Sequence, residues 1–465
     1  MTQHEIHEHP SRDGSPHPLR WRILAFLGIA QLMLILDVTV VAIALPHIET
    51  DLGLSREAMT WTVSAYTLTF GGLMLLGGRL ADLVGGRRMV LAGLLIFTVA
   101  SLATGFAGSG GMLLGGRVAQ GLGAALLSPS ALSLLVNLFD GDERNKALGV
   151  WSALGGGGAA LGVLLGGLLT AGPGWPWVFY VNVPIGLVTL VALARMLPRS
   201  GVATPRPRLD VLGALLATAS SVALIYAITR AGDHGWLTAT TGLLLLAAAA
   251  GYLAFVVRQR TAASPMMDVT MLTRRPVATG TFLIVMATAL MIAVFFLGTF
   301  YFQRAQGFGA LQTGLLFLPV AVVTMLGADL TGRVIARAGA RALAVAGLLA
   351  AAAGLAVPVL WLDTVTVVAG TALAAAGTGA LFVVASATAL GQVAPHEAGI
   401  ASGIVSTFHE FGASIGAAAV SSVAAAGLVG STLSGFTDGY LLAAVAAGVA
   451  ALVAAVLTPG RTGTA

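Results

Sequence analysis

The feature that most constrains this chain is a succession of apolar stretches, each about 20 residues long, which is the length that crosses a bilayer core as a helix. They read at 22–46, 59–81, 89–107, 111–138, 147–171, 175–198, 210–229, 236–257, 276–303, 311–332, 342–360, 364–391, 398–427 and 436–458. Charged residues make up only 9% of the chain, too few to clothe a water-facing surface, where about 25% is usual. Lipid tolerates such a surface, and inside it every backbone group must find its partner within the segment, which selects helices. The expected fold is an all-α integral membrane protein of fourteen transmembrane helices. No loop exceeds about 20 residues, so no soluble domain is left to carry separate chemistry.

Basic residues orient the spans. With the N-terminus in the cytoplasm, 20 of the 24 basic residues fall in cytoplasmic loops and helix ends. Arg56, Arg230 and Arg304 fall outside, and Arg117 lies within the fourth span. This bias predicts cytoplasmic termini and a bacterial inner membrane. It also disposes of nucleic acid as a partner for a chain of net charge +5, because the arginines sit in scattered loops rather than on one patch. Residues 1–20, with His4, His7, His9 and His17, read as a disordered cytoplasmic tail rather than a signal peptide or a metal site. The chain has no cysteine, which excludes disulfides, iron–sulfur clusters and thiolate metal sites.

The chain repeats itself. Gly78-Arg-Leu-Ala-Asp-Leu-Val-Gly-Gly-Arg87 follows the second span, and Gly332-Arg-Val-Ile-Ala-Arg-Ala-Gly-Ala-Arg341 follows the tenth, offset by 254 residues. The same offset carries the start of the first span onto the start of the ninth. Six helices therefore recur, with the seventh and eighth inserted between the copies, and duplicated six-helix halves around a central site are a transporter architecture. The expected division is a tail at 1–20, a six-helix bundle at 21–198, a linker with two extra helices at 199–275, a second bundle at 276–458 and a tail at 459–465. Asp82 has no counterpart, since Ala336 stands in its place.

At these residues the chain resembles the major facilitator superfamily, in particular its fourteen-span drug:proton antiporter family. Leu36-Asp-Val-Thr-Val-Val-Ala-Ile-Ala-Leu-Pro46 looks like the family's first-span motif, with Ala42 where asparagine is usual. Gly78 to Arg88 looks like the cytoplasmic gating loop, and Arg117-Val-Ala-Gln-Gly-Leu-Gly123 like the proton-coupling motif of the fourth span. Trp175-Pro-Trp-Val-Phe-Tyr-Val-Asn-Val-Pro-Ile-Gly186 is similar to a stretch of the fourteen-span branch. The antiporter motif of the fifth span departs from the pattern: Gly162-Val-Leu-Leu-Gly-Gly167 puts Val163 where proline is usual. Gly158, Gly162 and Gly166 share one helix face, with Gly167 beside it, and permit close helix packing. The resemblance implies that Gly78, Asp82, Gly85, Arg87 and Arg88 govern gating.

Ionisable residues within spans need a partner or a function, because a charge at mid-bilayer costs at least about 2.5–3.5 kcal/mol. Four stand out: Asp37, Arg117, Asp329 and Glu410, the last beside His409. Asp37 facing Arg117 is the expected coupling device, with Glu410 and Asp329 as second-half candidates. Asp329 could instead pair Arg333 at i+4. Polar and aromatic candidates for the substrate cavity are Trp61, Tyr66, Gln120, Asn137, Trp151 and Gln303.

The function expected is a proton-coupled antiporter that exports small hydrophobic or cationic compounds, acting as a monomer with protons and the lipid bilayer as its other partners and with no cofactor. A carrier of one endogenous metabolite is the alternative within transport. An enzyme lacks support, since there is no His-Glu-x-x-His helix, clustered metal set or cysteine nucleophile. An ATP-driven pump needs Gly-Lys-Ser/Thr, and the one lysine lies in Asn145-Lys-Ala147. A sensor would need an output domain.

Overall fold

The computed structural model describes residues 18–139, 141–197, 209–391, 398–425 and 433–458. The histidine-bearing tail, the C-terminal tail and the boundary at 198/199 lie outside the described residues, as does the side chain of Asp82. Among the described residues there is no strand. Fourteen long helices follow in order: α1 (Arg20–Leu52), α2 (Arg56–Val84), α3 (Gly86–Gly105), α4 (Gly110–Leu138), α5 (Gly141–Ala171) and α6 (Trp177–Met196). Then come α7 (Val211–His234), α8 (Ala239–Thr261), α9 (Arg275–Phe300), α10 (Ala310–Ala338), α11 (Ala340–Leu360), α12 (Thr364–Leu390), α13 (Ala398–Val423) and α14 (Leu433–Leu457). Eleven of them are long and apolar enough to cross a membrane by length and composition. α5 contributes the apolar stretch Leu161–Ala171 among its described residues. α2 and α13, which fall below that apolarity, pack against each other across the middle of the molecule, and a helix covered by neighbours there has less lipid to face.

Helices overrun the apolar stretches that announce them. α1 continues through Pro46 and the polar residues His47, Glu49 and Thr50, because each added residue still closes a backbone bond once a helix is nucleated. It stops at Gly53, whose φ of 61° suits a residue without Cβ. α6 is in two pieces, Trp177–Tyr180 and Asn182–Met196. Pro184 follows the break, and its missing N–H leaves the carbonyl of Tyr180 without a helical donor. α9 ends in a π-turn over Tyr301–Ala305.

The repeat is visible in packing. In the first half α1 packs on α5, α2 on α4, α3 on α4, α3 on α6 and α1 on α6. In the second half α9 packs on α13, α10 on α12, α11 on α12, α11 on α14 and α9 on α14, the same pattern eight helices later. The 254-residue offset also relates turns and caps. Gly53 and Gly307 both have positive φ, as do Gly85 and Gly339. Ser109 and Asp363 each cap a helix N-terminus with a side-chain oxygen. Arg87 donates to the carbonyl of Ala194 near the end of α6, and Arg341 to that of Thr458 just past α14, at 2.7 and 2.8 Å. Each half is thus tied off by the arginine of its own glycine loop.

The halves meet through α2 with α13, α5 with α10 and α1 with α9. α7 lies against α8, α2 and α13, whereas α8 touches α7 and the short turn at Val269–Thr273. The hydrogen bonds joining the halves gather toward one end, that of Leu52 and Arg56. This is termed the closed end, and the end carrying the glycine–arginine loops the basic end.

Candidate functional site: a buried ion pair behind a closed seam

Asp37 stands midway along α1, and Arg117 is two turns into α4. Both are 1% exposed. Arg117 Nη1 donates to Asp37 Oδ2 in a salt bridge sealed from solvent. The same nitrogen reaches Gln120 Oε1 at 3.0 Å, and Nε donates to the carbonyl of Thr62 on α2 at 2.9 Å. The guanidinium stacks over Tyr66 with Cζ 4.4 Å from the ring centroid. The second carboxylate oxygen accepts from Gln120 Nε2 at 3.0 Å and from Asn182 Nδ2 at 3.5 Å. Gln120 Nε2 also donates to Ser101 Oγ at 2.9 Å. Five helices of the first half, α1, α2, α3, α4 and α6, therefore converge on one ion pair. Such a pair is stable only when geometry and further hydrogen bonds satisfy the remaining lone pairs and protons; here both carboxylate oxygens and the guanidinium Nε and Nη1 have partners.

Ser101 and Asn182 escaped the sequence reading. Ser101 sits on an apolar stretch with no signal beyond its polarity. Asn182 was within a quoted motif, Trp175 to Gly186, where it is the lone amide in an apolar run.

Glu410 is 9% exposed and lies on the seam, with its Cβ 2.7 Å from where a Cβ on Gly71 would stand. A larger residue than glycine at 71 would push the two halves apart. His409 Nε2 is 4.0 Å from Glu410 Oε1, and its Nδ1 shares a hydrogen bond of 3.1 Å with Thr288. The ring of Phe382 packs against His409 at 5.6 Å. Glu410 and the Asp37 pair are separate sites in different halves. Asp329 departs from the expectation of a buried charge. Its side chain is 56% exposed and pairs Arg333 at 2.7 Å, one turn on, because that face of α10 also presents Val322, Leu326 and Leu330 outward.

The closed end is bound by short polar links across the seam. Thr67 and Ser414 share a hydrogen bond of 2.5 Å, and Thr60 donates to Ser421 Oγ at 2.6 Å. Arg56, buried at 5% exposure, donates to the carbonyl of Ser421 at 2.9 Å. On the other side Arg304 pairs with Glu49, and Gln303 Nε2 donates to the carbonyl of Ile43 at 2.9 Å. The π-turn places Gln303 and Arg304 together toward α1, and such turns recur at functional sites.

The glycines of α5 pack as a ridge against α1. Gly158 faces Ile35, Gly162 faces Thr39 and Gly166 faces Val40 and Ile43, while Gly167 meets Ala310 of α10. α5 runs unbroken through Val163, as expected of a helix without proline there. In the glycine–arginine loop between α2 and α3 Gly85 adopts φ 103°, and Arg88 is exposed.

The cavity candidates scatter. Tyr66 and Gln120 belong to the ion-pair network. Gln303 is a seal residue. Trp61 packs against the cluster of Leu68, Ile225, Phe411 and Ala418 at the seam covered by α7. Trp151 packs with Leu24, Leu135 and Phe139 inside the first half. Asn137 is exposed near the end of α4 and donates to its own helix at Ser133. None of these three reaches the ion pair.

The sequence pattern of the Major Facilitator Superfamily matches residues 27–417. The puromycin resistance protein pur8 of Streptomyces alboniger is 38% identical, with 96% of this chain and 93% of that protein aligned. The cephamycin export protein CmcT of Amycolatopsis lactamdurans is 36% identical over 92% of this chain and 90% of that protein. Among solved structures, a bacterial homologue of the human lysosomal transporter Spinster, inward-facing and unoccupied, superposes with a TM-score of 0.67 at 16% identity, covering 95% of this chain and 97% of that one. That likeness is one of fold, and it agrees with two six-helix halves closed at one end. With the motif loops, the repeated packing and the sequence match all falling on the same residues, the chain belongs to the Major Facilitator Superfamily.

Proposed function

We propose that this protein exports small hydrophobic or cationic compounds of antibiotic type across the bacterial inner membrane in exchange for protons, with fourteen membrane crossings and both termini in the cytoplasm. The basic end then faces the cytoplasm, and the structure corresponds to the cytoplasm-facing state, sealed outside. Substrate class and direction are supported by relatives aligned over nearly their whole length, a puromycin resistance protein and a cephamycin export protein. The two halves rock about the seam, and residues 199–275 form an inserted unit.

The observation that carries the coupling is the wiring of the buried pair to the seal. Arg117 holds the carbonyl of Thr62, on the helix that also carries Thr60 and Thr67. Asp37 lies on the helix that carries Ile43 and Glu49, the two points held by Gln303 and Arg304. Protonating Asp37 removes the charge that holds Arg117. α1 and α2 are then released relative to α4, and the seal they carry loosens with them. Glu410, buried on the seam, is the second-half position that selects which substrates are carried, cations most.

The test is transport in inside-out vesicles with an imposed pH gradient, paired with a panel of dyes and antibiotics in a pump-deleted host. The wild type should drive uphill efflux. Asp37→Asn should abolish the uphill component and retain downhill exchange, because a neutral side chain still switches state without a proton. Uphill transport at the normal rate in Asp37→Asn would place the proton site elsewhere, with Glu410 next to test. Movement of one compound only would favour the carrier of a single metabolite.

A further inference from the structure

α2 and α13 meet across the middle of the molecule, and their contacts fall into one antiparallel register. Thr60 donates to Ser421 Oγ at 2.6 Å, Thr67 shares a hydrogen bond of 2.5 Å with Ser414, and Gly71 stands against the Cβ of Glu410. Each step forward along α2 is matched by the same step back along α13. Four residues on from Thr60 is Ser64, and four back from Ser421 is Ala417. Both lie on the rows of the other contacts, because helix side chains recur on one face every three or four residues.

The register therefore holds four rungs. Two are hydroxyl pairs and one is the glycine contact. In the fourth, Ser64 is 0% exposed and its Oγ has no hydrogen-bond partner among the described residues. Ala417, set opposite and equally buried, has no polar side-chain atom to offer. Two other hydroxyls of α13 also lack partners, but Ser422 turns to Gly232 of α7 and Thr407 is 7% exposed.

The matching seam between α5 and α10 is built without hydroxyls at these positions. Offset by 254 residues, the counterparts of Thr60, Ser64 and Thr67 are Gly314, Leu318 and Ala321, and those of Ser421 and Ala417 are Gly167 and Val163. This seam closes on glycine instead: a Cβ on Gly167 would lie 2.8 Å from the Ala310 carbonyl oxygen, and one on Gly314 2.8 Å from that of Val163. The unpartnered hydroxyl belongs to one seam and not to the repeat.

A buried hydroxyl without a partner has left water and gained no bond in exchange. That loss exists only while the seam is closed. Once the closed end parts, Ser64 meets water, whereas Thr60 and Thr67 trade a protein bond for a water bond. Thr60 and Thr67 hold the seam shut, and Ser64 works against them from the same row.

We propose that Ser64 is a gate residue of the transport cycle: its unpaired hydroxyl destabilises the closed state and sets how readily the closed end opens. The inference rests on the reading that this end parts during transport. A group that is worse off in one of two states shifts their populations by that difference and no more.

The signs of three substitutions test it. Ser64→Ala removes the orphan and Ala417→Ser supplies it with a partner, so two opposite changes in polarity should both favour the closed state. Thr67→Ala deletes a hydroxyl of the same row but orphans Ser414 Oγ, and should favour the open one. The reporter in every variant is Val40→Cys, 2% exposed on α1 and alone in a chain without cysteine. Purified protein in lipid nanodiscs is labelled with a water-soluble maleimide at low concentration, where the rate follows the open population. Ser64→Ala and Ala417→Ser should each slow labelling about tenfold, ~1.4 kcal/mol, and Thr67→Ala should speed it about tenfold. Glu49→Gln, which breaks the pair to Arg304, calibrates the reporter with an increase of about fivefold. Changes of like sign in Ser64→Ala and Thr67→Ala, or of opposite sign in Ser64→Ala and Ala417→Ser, overturn the proposal. So does a Ser64→Ala that melts higher yet labels at the original rate, which is the result expected of a hydroxyl with a structural cost and no part in gating. A reporter that Glu49→Gln leaves unchanged defeats the reading of a parting seal instead.

Discussion

Arg117 and Asp37 can be taken apart one at a time, and the costs should not add. Arg117→Ala leaves a carboxylate at 1% exposure with only the amides of Gln120 and Asn182, at 3.0 and 3.5 Å. Breaking a buried pair from one side costs about 3–5 kcal/mol. This variant also loses the bond to the Thr62 carbonyl and the stack on Tyr66, the latter up to about 2 kcal/mol when desolvated. Asp37→Asn is milder. Its amide oxygen can still accept from Arg117, but its NH2 then faces the donors of Gln120 and Asn182, for a loss of about 3 kcal/mol. Asp37→Asn with Arg117→Met removes both charges and leaves no unpaired ion, so it should be more stable than the two single losses predict, by about 3 kcal/mol. The assay is equilibrium unfolding in mixed micelles titrated with sodium dodecyl sulfate, read for wild type, the singles (Asp37→Asn and Arg117→Met) and the double. Additivity within about 0.5 kcal/mol would refute a pair held together by its own charges.

Four further outcomes are expected. Gly162→Ala drives a Cβ into Thr39 and should destabilise by about 1–3 kcal/mol, whereas Gly115→Ala, with nothing within 4 Å, should stabilise by about 0.5–1 kcal/mol; thermal unfolding of the two variants should move in opposite directions. Asp82→Asn should slow transport while substrate binding, measured by equilibrium dialysis, is retained; equal loss of both would contradict a gating role. Glu49→Gln removes a partly exposed ion pair worth about 1 kcal/mol, so a cysteine at Val40 should react about fivefold faster with an impermeant maleimide added at the closed end. Reporter fusions after residue 205 and at residue 465 should both report cytoplasm, and a periplasmic signal at either would end the fourteen-crossing topology.

The fold was legible because lipid imposes one rule on every residue of a span. The 254-residue offset and the glycine–arginine loops appear in the structure where the sequence puts them, and helices begin close to the start of each stretch except the fifth, expected from 147 and begun at Gly141. The ends of helices were not legible, since hydropathy marks where lipid stops and a helix stops only where its bonding does. Gly53 and the break before Asn182 mark the latter. The buried ion pair was legible for a related reason: Asp37 and Arg117 have no water to turn to, so their charges had to meet something.

What each side chain faces was not legible, and the failures share one cause. In a soluble helix the polar stripe marks the outside and the apolar stripe the core. Here both the lipid face and the core face are apolar, so the helix carries no label for its own rotation. Trp61 and Trp151 were read as cavity residues on aromatic character, and both fill helix contacts instead. Asp329 was read as an ionisable residue within a span, with the i+4 pair to Arg333 as its alternative; that pair forms, and its apolar neighbours Leu326 and Leu330 are themselves exposed. The residues that mark the seam are small ones: Gly71 against Glu410, Gly167 against Ala310 and Gly314 against Val163. Close approach of two backbones requires glycine whatever the solvent, so in a chain of this kind glycine rows carry the rotational information that hydropathy withholds. The ridge at Gly158, Gly162 and Gly166 was placed on one face from spacing alone, and that face is the one that meets α1.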